Sequence, residues 1–346
     1  MVLKKKMVTL TLAMALTGMG VAAPPALAGG NGPDVNGNET VQTSMLTTYS
    51  EMKNFLQKEA SKQQQMDLEV IGQTTKGRDI HLVKYISNPE NPTILYLTQQ
   101  HGNEALTTEG ALDYIRHLGS NSTPNQDLLN QVNILILPML NADGAMGDVN
   151  YSLDDHVASG RHLTRYNADR IDLNRDHVEK VAPETKALHE NVLQKYKIDY
   201  MIDMHHQGTQ EDYDGRYSSA SLLAPYHSDV DPMVLDQSKK LATVLYQGLE
   251  PLGWSHVFKY DAPTTRPSVA SNAMALQYDI PVILFEMRGM ADNSYEPYVL
   301  GQKSNGYITK QAFLAMQTTS AAIADGSILE ANSDVYDQLP EQNYNY

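Results

Sequence analysis

Short apolar segments alternate with helical patterns along this chain, and that alternation constrains its fold more than any other feature. Thr93–Thr98 and Val132–Leu137 are largely apolar, and a run of this kind is typical of a strand covered on both faces. Apolar residues at helical spacing follow in Leu106–Leu118 and, near the end of the chain, in Val299–Ala324. Strands that alternate with helices indicate an α/β fold, with helices on both faces of one sheet.

The other predicted elements continue this pattern. Further strands are predicted at Leu68–Gly72, Ile80–Ile86, Asp199–Met204 and Pro281–Phe285, and further helices at Ser44–Lys62, Pro183–Tyr196, Pro232–Leu252 and Val269–Tyr278. The interval 139–176 is long, polar and without periodicity. A loop of that length inside a compact domain usually carries function.

The N-terminus has the features of a secretory signal peptide. Lys4–Lys6 precede the apolar stretch Met7–Ala23, and Ala26–Ala28 offers a small-residue cleavage site. The next residues are rich in Gly, Asn and Pro, which is typical of a linker. We therefore expect a signal peptide at 1–28, a linker at 29–43, one folded domain at 44–325 and an acidic C-terminal tail at 326–346.

Composition limits the partners and the compartment. The chain has a formal charge of −15, which disfavours nucleic acid and anionic membranes as partners. It has no cysteine, so we expect neither a disulfide framework nor a lipid anchor after the signal. No later stretch reaches the ~18 apolar residues of a membrane helix. These features favour a bacterial exported protein, extracellular or periplasmic, and we expect a monomer.

Two residues that can bind a metal follow the first buried strand. His101 and Glu104 stand three positions apart after the run 93–98. Catalytic zinc is held by three protein ligands, often two His and one Glu, and its fourth position is open to water. The best third candidate is His205, at the end of an apolar run, because sites in α/β sheets form at the carboxyl ends of strands. Alone the spacing is weak, since a turn histidine and a carboxylate at a helix N-terminus give the same pattern.

Further motifs occur in a distinctive order. They are His101–Glu104, Asp172–Arg175, Asp203–His205 and a late apolar run that ends in Glu286. Together these motifs resemble the zinc metallocarboxypeptidase family of the carboxypeptidase A type, over roughly residues 45–325. The resemblance implies a mixed, twisted, eight-stranded sheet with helices on both sides and one zinc ion per chain. It also implies hydrolysis of the last peptide bond of a peptide with a free C-terminal carboxylate.

The resemblance also distributes roles in the chemistry. It favours His205 over His206 as the third ligand, and adjacent strand residues point to opposite faces in any case. It makes Glu286 the general base, in keeping with the preceding apolar residues, because burial raises the pKa of a carboxyl group toward a useful range. An ion pair with Arg288 is the alternative for Glu286.

An arginine is expected to stabilise the oxyanion of the tetrahedral intermediate. The resemblance assigns this role to Arg165, with Arg161 and Arg170 as alternatives. Arg170 stands where related sequences usually carry Gly. Asn141–Gly144 matches a family turn, with Ala142 in place of Pro, and is interpreted as structural.

Binding of the substrate's C-terminal carboxylate falls to Asn174 and Arg175 by resemblance, because a guanidinium group matches a carboxylate bidentately. A surface ion pair with Asp172 or Asp176 is the alternative for Arg175. Family carboxypeptidases also have a mobile tyrosine shortly before the base, and Tyr260 is the candidate here.

The position of that tyrosine is open, because Thr264 or Thr265 can also occupy it. Arg266 is expected to line the specificity pocket and to favour an acidic side chain, unless it is a solvent-facing loop residue. The family often has an inhibitory segment before the domain. The predicted linker is too short to be a folded inhibitory segment, so we expect the protein to be exported in active form.

Related functions remain open, namely cell-wall peptide hydrolysis, deacylation of N-acyl amino acids, and zinc or peptide binding without turnover. Other hydrolase classes lack their motifs: the sequence has no His-Glu-x-x-His, no Gly-x-Ser-x-Gly and no phosphate-binding Gly-rich loop.

Overall fold

The computed structural model describes residues 46–120, 122–146, 165–207, 211–212, 214–261, 263–288 and 305–343. The predicted signal peptide, the predicted linker and Arg161 lie outside these residues. Within the described ranges, no helix has the length and apolar character needed to cross a membrane.

Eight of the described strands form one mixed sheet, as the family resemblance implied. In chain order the strands are β1 (Asp67–Gln73), β2 (Asp79–Tyr85), β3 (Thr93–Thr98), β4 (Asn133–Leu137), β5 (Tyr200–Gln207), β6 (Glu211–Asp212), β7 (Ala220–Leu223), β8 (Val257–Lys259), β9 (Val282–Arg288) and β10 (Gln342–Asn343). The order across the sheet is β1-β2-β4-β3-β5-β9-β7-β8, and the short strands β6 and β10 pair with each other. β4, β3, β5 and β9 run parallel, whereas β2 and β7 join them antiparallel.

Helices cover both faces of this sheet. The described helices are α1 (Tyr49–Lys62), α2 (Ala105–Leu118), α3 (Thr123–Leu129), α4 (Ala142–Met146), α5 (Pro183–Leu188), α6 (Pro232–Leu249), α7 (Ala270–Tyr278), α8 (Asn305–Ala324) and α9 (Asp334–Asp337). Apolar side chains of α1, α2, α6 and α8 share one core with the sheet, and those of α5 and α7 share the other. The α/β layering predicted from the sequence is therefore confirmed.

The faces of β5 decide where its polar residues go. Met204 belongs to the core under α1, α2, α6 and α8, and Met201 belongs to the core under α5 and α7. Because successive strand residues point to opposite faces, Asp203 and His205 share the side of Met201. His206 shares the side of Met204.

Two predicted strands are longer than the sequence indicated. β5 continues past Met204 to Gln207, and β9 continues past Phe285 to Arg288. The predicted ends were wrong because pairing of His205 with Glu286, and of the two residues after each, extends the ladder through polar residues. Backbone partners in the sheet thus override the change in side-chain polarity.

Other boundaries also differ. The predicted helix at 183–196 is α-helical only through Leu188 and widens to a π-turn at His189–Leu193. Strands β7 and β8 were not predicted, because strands of four and three residues are too short to show a periodicity.

The segment after α8 packs on the domain. Tyr336 is buried, and its hydroxyl accepts a hydrogen bond from the backbone N–H of Ala224 at 3.0 Å. Gln342 is also buried and donates to the side-chain oxygen of Gln207 at 2.9 Å. The described part of the predicted tail is therefore anchored beside the end of β5.

Candidate metal site

Donor atoms of three side chains converge at one point: two of the side chains follow β3, and the third lies near the end of β5. Nδ1 of His101 lies 2.8 Å from Oε1 of Glu104 and 3.0 Å from Nδ1 of His205, which lies 2.8 Å from Oε2 of Glu104. All three side chains are buried. Two imidazole nitrogens at this separation need a proton or a cation between them, and two His with one Glu are a donor set that zinc prefers. The residues therefore fit a zinc ion.

The electrostatics of this group favour a positive charge. Burial alone would raise the pKa of Glu104, but His101 and His205 lower it well below its usual range. Burial would lower the pKa of His205, but Asp203 and Glu104 outweigh that effect and raise it. The three groups thus stabilise positive charge in a buried place, which is the charge that a divalent cation supplies.

A carboxylate contacts the far nitrogen of each histidine. Nε2 of His101 lies 3.2 Å from Oδ1 of Asp172, and Nε2 of His205 lies 2.9 Å from Oδ2 of Asp203. A carboxylate in this position keeps the proton on Nε2 and leaves the lone pair of Nδ1 for a metal. The sequence analysis missed this role of both aspartates. For Asp203 a signal existed, because a residue two positions before His205 lies on the same strand face.

Arg165 lies against the same group. Its Nε and Nη2 donate to Oδ2 of Asp172 at 3.0 and 2.9 Å, and its Nη1 is 3.3 Å from Nδ1 of His101. The side-chain nitrogen of Asn141 donates to the backbone carbonyls of Arg165 and Gln100, at 3.2 and 3.1 Å. The turn that contains Asn141 therefore holds the backbone on both sides of the metal ligands, in keeping with its structural interpretation.

Arg170 lies in a tight turn. Its φ is +63°, a conformation that favours glycine, which accounts for the Gly expected there by resemblance. The residue is exposed, and its backbone N–H donates to the carbonyl of Asn167.

Glu286 lies beside the metal ligands. It is opposite His205 in the parallel register of β5 and β9, so both side chains are on the same face of the sheet. Its side chain is buried, and Oε2 has no hydrogen-bond partner among the described residues. Burial raises its pKa to about 8; His205 and Arg165 oppose the rise, whereas Glu104 adds to it. A carboxyl group in this state can hold or release a proton near neutral pH.

Asn174 lies beside His205, with its side-chain nitrogen 3.5 Å from Nε2 of His205, and Arg175 follows it in the chain. Asn174 is buried, and its side-chain oxygen accepts the backbone N–H of Ala270 at 2.8 Å. Arg175 is exposed, and its Nη1 donates to the carbonyl of Asn174 at 2.6 Å. Asp176, one alternative partner of Arg175, instead accepts the backbone N–H groups of Val181 and Ala182.

Further cationic and aromatic groups act on Arg175. Partial desolvation lowers its pKa, and Arg165 and Arg266 lower it further, against the effects of Asp172 and Tyr260. Arg165, Arg266 and Tyr260 are therefore close enough to Arg175 to influence its charge.

The chain that carries Tyr260 and Arg266 is held by backbone contacts. Tyr260 is half-buried after β8, and its N–H donates to the carbonyl of Leu222 at 2.9 Å. Arg266 is exposed, while the amide of Asn272 donates to the carbonyls of Thr264 and Arg266 at 2.7 and 2.9 Å. The positions of both residues thus come from loops rather than from the sheet.

Comparison with known proteins decides the family. The sequence model described as Zinc carboxypeptidase matches residues 52–297. The chain belongs to the zinc carboxypeptidase family. It is 28% identical to carboxypeptidase D of Mus musculus over 194 residues, which are 54% of this chain and 13% of the mouse protein. It is 34% identical to a zinc carboxypeptidase of Saccharothrix mutabilis subsp. capreolus over 89 residues, covering 24% of this chain and 20% of that one. The matched part is thus a small share of these relatives' own length.

Solved structures show the same fold. The metallo-carboxypeptidase of Pseudomonas aeruginosa in complex with (2-guanidinoethylmercapto)succinic acid superposes with a TM-score of 0.59 at 18% identity, over 79% of this chain and 68% of that one. Carboxypeptidase A of Helicoverpa armigera has the same TM-score and identity, over 80% of this chain and 74% of that one. The zinc carboxypeptidase fold expected from the resemblance is confirmed.

Proposed function

We propose that this protein is a zinc-dependent metallocarboxypeptidase that removes the C-terminal residue of peptides. The observation that carries the proposal is the convergence of His101, Glu104 and His205 on one point in a chain of this family. These three residues would hold one zinc ion per chain. The zinc, when bound, would supply an activated water and a Lewis acid for the scissile carbonyl.

Glu286 and Arg165 would act on the reacting atoms. Glu286 is a desolvated carboxyl group with a raised pKa, which suits it to take a proton from water and to deliver it to the leaving amine. Arg165 places a guanidinium group 3.3 Å from Nδ1 of His101, where positive charge would stabilise the developing oxyanion. Asp172 would hold that guanidinium group in place through two hydrogen bonds.

The substrate would be bound on the outer side of this group. Arg175 and Asn174 would bind the C-terminal carboxylate, and Tyr260 would cover the bound residue. Arg266 would favour an acidic side chain at that position. We further propose export directed by residues 1–28, a monomeric protein, and no nucleic-acid or membrane partner after the signal is removed.

The first experiment measures zinc content together with hydrolysis of N-blocked dipeptides that differ in the last residue, with and without a chelator. One zinc per chain with chelator-sensitive release of the C-terminal residue is expected. Bound zinc without release from any dipeptide would shift the assignment to cell-wall peptides or N-acyl amino acids. A protein that binds no zinc would refute the ligand assignment.

A further inference from the structure

A chain of side chains extends from the candidate zinc ligand His205 to Tyr278, and every member except the half-buried Tyr278 is buried. Each member lies within hydrogen-bonding distance of the next, and the chain leaves the sheet on the side covered by α5 and α7. Its contacts are His205 Nε2 to Asp203 Oδ2 (2.9 Å), Asp203 Oδ1 to Gln100 Nε2 (2.7 Å), Gln100 Oε1 to His177 Nε2 (2.8 Å), His177 Nδ1 to His189 Nε2 (3.1 Å) and His189 Nδ1 to the hydroxyl of Tyr278 (2.7 Å).

The chemistry of these groups gives the chain one direction. An ionised Asp203 can only accept, so the amide nitrogen of Gln100 donates to it and the amide oxygen of Gln100 remains as an acceptor. His177 must then donate through Nε2, and as a neutral ring it accepts at Nδ1. The same reasoning makes His189 a donor through Nε2 and an acceptor at Nδ1, where the hydroxyl of Tyr278 donates. Every proton thus points toward Asp203.

The protonation state of His177 and His189 supports this direction. Burial lowers the pKa of His177 to about 4 and that of His189 to about 3, so both rings are neutral at pH 7. A neutral imidazole has one donor and one acceptor nitrogen, which the directed chain requires. A charged ring would donate from both nitrogens and could not accept, so it would interrupt the directed chain.

The backbone at His189 is also unusual. The helix is α-helical through Leu188 and becomes a π-turn from His189 to Leu193, where the N–H of Gln194 bonds to the carbonyl of His189 at 3.0 Å. Such turns are rare and occur frequently at functional sites. Here the turn begins at the residue that joins His177 to Tyr278.

We propose that His177 and His189 are positioning residues that act through Gln100 on Asp203 and thereby tune zinc binding by His205. The inference rests on the proposed zinc site. Fixing the amide of Gln100 keeps its N–H on Asp203. The other oxygen of Asp203 then holds the proton of His205 on Nε2 and aims the lone pair of Nδ1 at the metal. Outer groups of this kind typically change metal affinity by ~10–100-fold when they are removed.

Loss of the Nε2–H donor of His189 would remove the hydrogen bond that fixes the tautomer of His177. His177 would then be free to carry its proton on Nδ1, and the amide of Gln100 could rotate to bond with the exposed lone pair of Nε2. That rotation would place the amide oxygen of Gln100 against Oδ1 of Asp203. Two acceptors in contact repel each other, so the support of His205 would weaken.

The test is the zinc affinity of the full-length, metal-free protein, measured by competition with a chromophoric chelator. His189→Leu removes the donor, and His189→Gln places an amide N–H near the position of Nε2. The control is His81→Leu: His81 is a buried histidine on β2, and β4 and β3 separate it from β5. Melting temperatures are measured for the same proteins.

We expect His189→Leu to bind zinc ~10-fold more weakly than the native protein, and His189→Gln to keep the native zinc affinity. His81→Leu should keep native zinc affinity even where its melting temperature falls. Native affinity in a folded His189→Leu would overturn the proposal and leave the chain a packing feature.

A variant that fails to fold does not end the test. Tyr278→Phe removes only the outermost donor, and about threefold weaker zinc binding is expected from it. If His189→Leu is unfolded, native affinity in Tyr278→Phe would overturn the proposal. A native protein that binds no zinc would refute the proposed function itself, which distinguishes the two failures.

Discussion

The candidate site has two halves that are built differently. The metal half consists of His101 and Glu104, which lie between β3 and α2, and His205, which lies on β5; all three are buried. The substrate half includes Arg175 and Arg266, which are exposed and supplied by loops. Buried, closely packed side chains keep a constant geometry, whereas exposed loop residues can vary without loss of the fold. With the proposed roles, the comparison implies that the reaction and the choice of substrate are separable in this chain.

The largest expected effect separates chemistry from metal binding within the buried half. Glu286→Gln removes the proton acceptor but keeps the size of the side chain, so turnover should fall by ~10²–10⁴-fold. Zinc content should remain one per chain, because Glu286 is not among the three clustered donors. Steady-state kinetics and metal analysis on the same sample provide the measurement.

The control for this prediction is Glu330→Gln, the same change at an exposed position in the 3₁₀ helix Ser327–Glu330. It should leave both quantities unchanged. Native turnover in Glu286→Gln would remove Glu286 from the mechanism and would favour a binding protein without catalysis.

The next effect concerns the exposed half. Arg175→Ala should lower kcat/KM for peptides by ~10–100-fold, since a hydrogen bond to a charged group contributes about 1.5–3 kcal/mol. Arg175→Lys should recover only part of this loss, because an ammonium group cannot bind a carboxylate bidentately. Zinc affinity should not change in either variant. For peptide amides, which lack the C-terminal carboxylate, kcat/KM should be the same in Arg175→Ala as in the native protein.

Arg170→Gly is the matched control, because it removes an exposed arginine from the same loop at a position whose φ suits glycine. Its kcat/KM should equal that of the native protein. An equal loss in both arginine variants would point to the net charge of the loop rather than to a specific contact.

The two halves also differ in how much the sequence could predict. His101, Glu104 and His205 were predictable because each is close to the end of an apolar run, and parallel strands bring such ends together. The fold was predictable for the same reason, since long apolar runs alternate with helical patterns. The short strands β7 and β8 were not, because β7 is held in the sheet by pairing with β9, and β8 by pairing with β7, rather than by an intrinsic pattern.

The side chains that connect to Asp203 through Gln100 were harder to predict. His177 follows a 3₁₀ turn and His189 begins a π-turn, and neither position has a pattern that connects it with Gln100. Only the packing of α5 and α7 on the face of Asp203 brings them together. On the proposed substrate side, Arg266 lowers the pKa of Arg175, but a loop sequence alone gives no distance between them.

A smaller effect is expected from Arg266, which tests the substrate preference of the proposed substrate half. Arg266→Gln should lower kcat/KM by ~10-fold for a dipeptide that ends in Glu, if a single charge-assisted hydrogen bond is lost. A dipeptide that ends in Phe should be hydrolysed at the native rate. The ratio of the two rates measures specificity independently of enzyme concentration. A ratio unchanged by the substitution would make Arg266 a solvent-facing loop residue.

The smallest effect tests whether the buried half depends on neutral histidines. Burial lowers the pKa of His177 to about 4 and that of His189 to about 3, whereas an unfolded histidine titrates near ~6.5. The unfolded chain therefore takes up protons that the folded chain excludes as the pH falls from about 6.5 to 4. The free energy of unfolding should decrease in that window, by at most ~1.4 kcal/mol per pH unit for each histidine.

His189→Gln removes one of these two groups and keeps the donor to His177, so the decrease between pH 6.5 and 4 should be shallower than in the native protein. Urea unfolding at pH 7, 6 and 5 gives the difference between the two proteins at each pH. Because the zinc ligands are the same in both, their protonation cancels in that difference. Parallel curves would mean that residue 189 takes up its proton without unfolding. In that case the directed chain of hydrogen bonds would not persist in acid.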